Sequence, residues 1–185
     1  MAKESSAISL TSNYYIRNYY RSNKNFCKTS TRKEQLAEEL SFEDAKALRR
    51  AVRQLSSFGY NDLDNRENMN ASIEAYVDTF NNTVTAGSDS SDRKIKQYAN
   101  KLKNLAAKHS DDLKAVGITA GADGKLSCNT SLLKSASVDK LKKVFGKDTA
   151  FMRENITASR KLHANSREAL LQEITKNGTI VDVSL

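Results

Sequence analysis

The sequence predicts a mainly α-helical fold, an elongated antiparallel, coiled-coil-like bundle with a small β-hairpin near residues 117–128. The 185 residues contain no proline and only seven glycines, so few residues are present that interrupt helices. Apolar residues also recur at helical spacing along almost the whole chain. Because a chain of this length can bury a sizeable core, we expect one domain, or one domain with an arm.

Composition excludes several classes of protein. Hydrophobic residues make up 38% of the chain and charged residues 28%, which excludes wholesale disorder. No apolar run approaches the roughly 20 residues that a membrane span needs. The start of the chain, 1–5, lacks the basic and apolar regions of a cleaved signal peptide. We therefore expect a protein of the cytoplasm, or one exported without such a signal.

Residues 1–35 are predicted to form a basic, aromatic N-terminal arm, followed by a helical domain over 36–185. The arm has seven basic and two acidic residues, a net charge of +5 out of the total of +8. Its aromatic residues have helical spacing, which favours an amphipathic helix packed on a neighbouring helix, with its basic face in solvent. The alternative is that the arm, over 14–33, binds nucleic acid, with cations on phosphates and tyrosines stacked on bases. The residues of this interaction arm are Tyr15, Arg17, Tyr19, Arg21 and Phe26.

After the helix of the arm, two further helices are predicted before residue 60. The segment 31–34, Thr-Arg-Lys-Glu, has the spacing of a capping box at the start of one helix. Ser41 is expected to cap the next helix, because two acidic residues follow it closely. Gly59 is expected to end that helix in the left-handed conformation.

The central helices are predicted from their apolar stripes. One stripe begins at Met69 and ends near Gly87. Ser90 or Ser91 is expected to cap the following helix, whose stripe extends over 95–116 with heptad-like spacing.

Residues 117–128 interrupt the helical pattern. Gly117 is expected to end the preceding helix, and Asp123-Gly124 is a strong signal for a tight turn between two short strands. Two short helices are predicted over 130–136 and 138–145, and a long helix over 149–176.

The sequence lacks the motifs of catalytic and cofactor sites, so we expect no enzyme activity and no cofactor. The glycines near Lys125 do not form a phosphate-binding loop, because Thr119 occupies the position of its first glycine and Leu126 that of its hydroxyl residue.

A metal site is not expected either. A zinc site would have to gather Cys27, His109, Cys128 and His163 from four distant places. The two cysteines do not form a Cys-x-x-Cys motif, and we expect both as reduced thiols.

Several segments together resemble a known family. Residues 113–119 (LKAVGIT), 123–127 (DGKLS), 132–133 and 143–146 (KVFG) are similar, in order and spacing, to the C-terminal region of the bacterial flagellar cap protein, hook-associated protein 2. Upstream, 73–81 (IEAYVDTFN) resembles a helix of that family. The resemblance covers about 69–176.

This resemblance implies a helical bundle that associates with other subunits and catalyses nothing. The motif residues would build the scaffold by capping a helix, reversing the chain and covering helix ends. They are Gly117, Ile118, Asp123, Gly124, Leu126 and Phe145.

Three functions follow from these observations. The leading hypothesis is a non-catalytic structural protein, in a bacterial flagellum or the cytoplasm, that self-associates or binds flagellar subunits. The alternatives are a basic nucleic-acid-binding protein that uses the 14–33 arm, and an intracellular helical adaptor or export chaperone that binds a client helix.

Overall fold

The computed structural model describes Ile16, Arg32, residues 35–60 and residues 66–176. Most of these residues are helical, and one antiparallel pair of short strands is present among them. The prediction of a mainly α fold with a small hairpin is confirmed. In chain order, the elements are α1 (Ala37–Ser56), α2 (Arg66–Asp89), α3 (Arg93–Lys108), α4 (Ser110–Lys114), β1 (Ile118–Ala120), β2 (Leu126–Cys128), α5 (Thr130–Ser135), α6 (Val138–Phe145) and α7 (Ala150–Lys176).

The four long helices α1, α2, α3 and α7 form the bundle. α1 packs against α2 and α7, and α3 packs against the same two helices, so the four enclose one core. Their directions alternate. The start of α1 meets the end of α2 through Ser41 and Ala86, and the end of α3 meets the start of α7 through Lys108 and Glu154. Fully buried core residues come from all four helices and include Leu48, Val52, Ile73, Phe80, Leu102 and Leu162.

α1 is one continuous helix where the sequence predicts two. Leu36 precedes it in an extended conformation, and Ser41 lies in its second turn. The buried Ser41 hydroxyl donates a hydrogen bond to the carbonyl oxygen of Ala86 on α2, at 3.3 Å. The prediction that a helix begins at Ser41 is therefore wrong, because its hydroxyl serves a contact between helices. Apart from Arg32, the capping box predicted at 31–34 lies outside the described residues.

The end of α1 also differs from the prediction. Gly59 does not have the positive φ of a left-handed cap. Instead, the backbone N–H of Ser57 donates to the carbonyl oxygens of Arg53 and Gln54, and the Ser57 hydroxyl donates to that of Gln54. Because these bonds already satisfy the last carbonyls, the helix ends without a left-handed glycine.

The junction between α2 and α3 depends on a close helix–helix contact. α2 continues through Gly87, where a Cβ atom would lie only 2.7 Å from the Cβ of Ala99 on α3. This glycine permits the two helices to approach and does not end α2. Asp92, and not Ser90 or Ser91, caps α3, since its carboxylate accepts hydrogen bonds from two N–H groups of the first turn.

The remaining elements follow the prediction with one exception. The strands pair in the register Ile118–Cys128 and Ala120–Leu126, and α5, α6 and α7 lie within one residue of their predicted ranges. The exception is the helix predicted over 95–116. It is interrupted at His109, where the backbone has φ −106° and ψ 24°.

Three residues of the N-terminal arm are described, Ile16, Arg32 and Gln35, and the first two contact the bundle. Ile16 is helical and only 7% exposed, in a cluster with Phe42 of α1 and with Leu170 and Ile174 of α7. Arg32 forms a bidentate pair with Asp44 of α1. Ile16 therefore contacts both α1 and α7, and Arg32 contacts α1.

None of the described helices combines the length and the apolar character needed to cross a bilayer.

Candidate functional site

The predicted motif residues lie in one structural unit, residues 117–146, which we call the turn module. Gly117 has φ +84°, and a Cβ atom on it would lie 2.7 Å from the Cβ of Leu132 and 2.9 Å from the backbone nitrogen of Leu133. Ile118 and Leu126, on the two strands, are both buried. Gly117 therefore ends the helical segment as predicted and also lets α5 pack directly on the turn.

The turn between the strands is fastened by its own backbone and by α3. Gly124 has φ +78°, and its N–H donates to the Gly121 carbonyl oxygen at 2.9 Å. The Asp123 carboxylate accepts from the N–H of Lys125 at 3.0 Å. A Cβ atom on Gly124 would lie 2.5 Å from the Cγ of Lys103, so the turn lies on the aliphatic part of that side chain. Asp123 and Gly124 thus have the structural roles predicted for them.

α2 holds the turn module through two residues that the sequence analysis missed. The Asn81 side chain accepts from the N–H of Leu126 at 2.7 Å and donates to its carbonyl oxygen at 2.8 Å, as a neighbouring strand would. The Arg66 guanidinium donates to the carbonyl oxygens of Leu133, Lys134 and Ala136 at the end of α5. Its positive charge is favourable there, because the carbonyl end of a helix is negative.

Phe145 lies at the far end of the turn module, among buried aromatic rings. Its ring contacts those of Tyr76 and Phe151, with centroids 5.9 and 6.0 Å away. The Tyr76 hydroxyl donates to the side-chain oxygen of Asn155 at 3.0 Å, and Asn155 in turn donates to the Phe151 carbonyl oxygen. Burial raises the pKa of Tyr76 far above its usual range, so this phenol stays neutral. The side chains of Tyr76 and Asn155 are thus paired with each other within this cluster.

The titratable residues considered for a metal site are dispersed. His109 lies against Phe151 and 3.3 Å from an Asp112 carboxylate oxygen, whereas His163 lies beside Arg49 between α1 and α7. Burial, with nearby acidic charges, raises the pKa of the Cys128 thiol. Among the described residues, no group of three histidine, cysteine, aspartate or glutamate side chains could hold a metal ion, and Cys27 lies outside them.

An open groove of about 400 Å³ between α3 and α7 combines apolar and cationic side chains. Leu105 and Ala158 supply buried apolar surface, and the Lys101 ammonium lies 4.6 Å from the centroid of the Tyr98 ring. Lys108 pairs with Glu154 at 2.6 Å. The lining residues are Tyr98, Lys101, Asn104, Leu105, Lys108, Glu154, Thr157, Ala158 and Lys161.

The sequence analysis missed the concentration of positive charge on α3. The helix has six basic residues and no acidic one. Lys94, Lys101 and Lys108 recur every seven residues, so they follow one side of the helix in steps of about 10 Å. These basic residues are visible in the sequence, but the net charge of a longer segment also includes the acidic residues of neighbouring segments.

The interaction arm predicted at Tyr15, Arg17, Tyr19, Arg21 and Phe26 lies outside the described residues. Their neighbour Ile16 is described and packs on the bundle.

Comparison with family models, curated proteins and solved structures found no match to this chain.

Proposed function

We propose that this chain is a non-catalytic structural and assembly protein that acts through helix–helix contacts, like the helical region of the flagellar cap protein that residues 69–176 resemble. The observation that carries the proposal is the groove between α3 and α7, which combines apolar surface with lysines. Such a groove suits an amphipathic helix of a partner, whose apolar side chains contact the groove floor.

The charge of the groove specifies the chemistry of that helix. Lys101 and Lys161 have no carboxylate partner among the described residues. Acidic side chains spaced seven residues apart on the bound helix would meet the lysine row of α3. The partner is therefore an acidic amphipathic helix, from a flagellar subunit or from a second copy of this chain.

The turn module supports a structural role in a different way. Its backbone is held by α2, because Asn81 hydrogen-bonds to Leu126 of β2 and Arg66 to the end of α5.

The test is the mass of the full chain by light scattering over a range of concentrations, alone and mixed with purified flagellar cap and filament subunits. We expect a mass that rises with concentration or a defined complex. Lys101→Glu/Lys161→Glu should abolish the association. The matched variant Lys140→Glu/Lys143→Glu changes two exposed residues of α6 and should retain it.

A strictly monomeric chain that forms no complex with these subunits would contradict the proposal. A stable complex with a single client helix, without self-association, would instead favour the adaptor or export-chaperone function.

A further inference from the structure

A second concave surface lies between α1 and α7 and differs from the groove described above. It is a cleft of about 170 Å³ lined by Arg49 and Arg53 of α1 and by Arg160 of α7, over Val52, Ile156 and Ser159. We call it the arginine cleft. Its size suits a single anionic group and is too small for the side of a helix.

The arginines of this cleft are not neutralised within the described part of the chain. Arg49, Arg53 and Arg160 form no ion pair there, and neither does Arg167, which lies two turns beyond Arg160 on α7. Four like charges on two adjacent helices repel one another, and an anion bound between them would relieve that repulsion.

His163, on the α7 side of this surface, lies in the same positive environment. Its Nδ1 atom lies 3.4 Å from the Arg49 guanidinium. Burial, together with the charges of Arg49, Arg167 and Lys46, lowers its pKa to about 4, against a smaller opposing effect of Glu43. The ring is therefore neutral at pH 7, and Nδ1 accepts a hydrogen bond from Arg49.

The surface chemistry favours a nucleic acid over a protein as the ligand. Three of the six residues that line the cleft are arginines, and the other three are Val52, Ile156 and Ser159. Arginine forks match phosphate oxygens in pairs, and contacts to backbone phosphates need no apolar anchor.

One described residue of the arm, Ile16, lies on the same side of the bundle. Ile16 packs on Phe42 and Leu170, and the ring of Phe42 lies 5.2 Å from that of His163. In sequence, Ile16 is followed by Arg17 and Arg21.

We propose that the arginine cleft binds backbone phosphates of a nucleic acid, with Arg49, Arg53 and Arg160 as the contacting residues. This function goes beyond helix–helix assembly and uses the opposite flank of α7.

The test is fluorescence anisotropy of the full chain with a labelled oligonucleotide of about 20 nucleotides, single-stranded or duplex, between about 50 and 200 mM salt. The cleft variant is Arg49→Gln/Arg53→Gln/Arg160→Gln. Two variants with the same loss of charge are matched controls: Arg17→Gln/Arg21→Gln/Lys24→Gln in the arm and Lys140→Gln/Lys143→Gln/Lys147→Gln around α6. Circular dichroism checks that each variant folds.

We expect the cleft variant to lose about tenfold or more in affinity, and the slope of log affinity against log salt to flatten by about 2 to 3. Each control should lose clearly less. Comparison of the single strand with the duplex identifies the preferred form of the ligand.

Three results would overturn the proposal. The first is equal losses in all three variants, and the second is a loss confined to the arm variant, which would place binding on the arm. The third is equal affinity for a poly-glutamate peptide of matched charge, which would indicate an acidic protein ligand. If the cleft variant does not fold, Arg160→Gln alone replaces it and should still flatten the salt slope by about 1.

Discussion

α2 and α3 lie side by side in the bundle, but their polar side chains have different uses. α2 has one basic and four acidic residues, and its Arg66, Asn81 and Tyr76 side chains hydrogen-bond to other elements of the fold. α3 has six basic residues, of which only Lys108 pairs with a carboxylate among the described residues. Two amphipathic helices of one bundle thus divide their tasks: α2 stabilises the fold, and α3 presents a charged surface.

The strongest test of this contrast replaces one tyrosine on each helix. Tyr76 is fully buried among Phe80, Phe145 and Phe151. Tyr76→Ala should lower the free energy of unfolding by about 4 kcal/mol, because it leaves a cavity and removes the hydrogen bond to Asn155. Urea unfolding followed by circular dichroism measures this loss.

The matched variant is Tyr98→Ala on α3. Tyr98 is partly exposed on the groove, so its loss should lower the free energy of unfolding by about 1 kcal/mol or less. The same variant should weaken association through the groove. Equal destabilisation by the two variants would contradict the division between the helices.

A pair of asparagines gives a second, smaller effect. Asn81→Ala leaves the N–H and the carbonyl oxygen of Leu126 without their side-chain partner. We expect a loss of about 2 to 3 kcal/mol in the free energy of unfolding. Hydrogen exchange at the Leu126 amide should also become faster, which locates the loss in the hairpin.

Asn104→Ala makes the same change on the exposed side of α3. It should alter stability by no more than about 0.5 kcal/mol and leave exchange at Leu126 unchanged. If Asn81→Ala were equally mild, the side chain of Asn81 would not be what holds β2 on α2.

The elements that sequence predicts well here are those defined by local chemistry. Gly117 and Asp123-Gly124 were predicted correctly, because a positive φ strongly favours glycine wherever the rest of the chain lies. The long α7 was predicted from its own apolar spacing. Predictions based on a single capping residue failed at Ser41 and Gly59. The Ser41 hydroxyl donates to the Ala86 carbonyl oxygen on another helix, and the carbonyl groups before Gly59 already accept hydrogen bonds from Ser57.

The candidate sites were harder to predict, since they depend on which helices become neighbours. Asn81 lies within a helical pattern, and its partner Leu126 follows 45 residues later. The arginine cleft joins Arg53 to Arg160, from opposite ends of the described chain. The positive charge of α3 can be predicted without tertiary structure. A net charge summed over 36–185 hides it, because the sum includes the acidic residues of α2.

The smallest expected effect is the pH dependence of stability that His163 causes. It tests whether the positive charge on the surface of α3 continues across α7. The pKa of His163 is lowered to about 4 from its ordinary value near 6.5, chiefly by burial and then by Arg49 and other cations. Between these two values the unfolded chain binds more protons at this site, so stability is complete above pH 6.5 and is lost as the pH falls towards 4. Because the His163 side chain is only partly buried, we expect a loss of about 1 kcal/mol or less.

His163→Gln cannot take up this proton, so the difference in unfolding free energy between wild type and variant isolates the contribution of His163 from that of the carboxylates. That difference should change between pH 6.5 and 4 and stay constant above pH 7.

Arg49→Gln should raise the pKa of His163, measured by NMR, because a neighbouring cation is removed. A nucleic acid bound in the arginine cleft should also raise the pKa of His163, since its phosphates neutralise the positive charge of the arginines. If neither change moves the His163 resonance, then burial alone sets its pKa, and the cationic surface ends at the groove between α3 and α7.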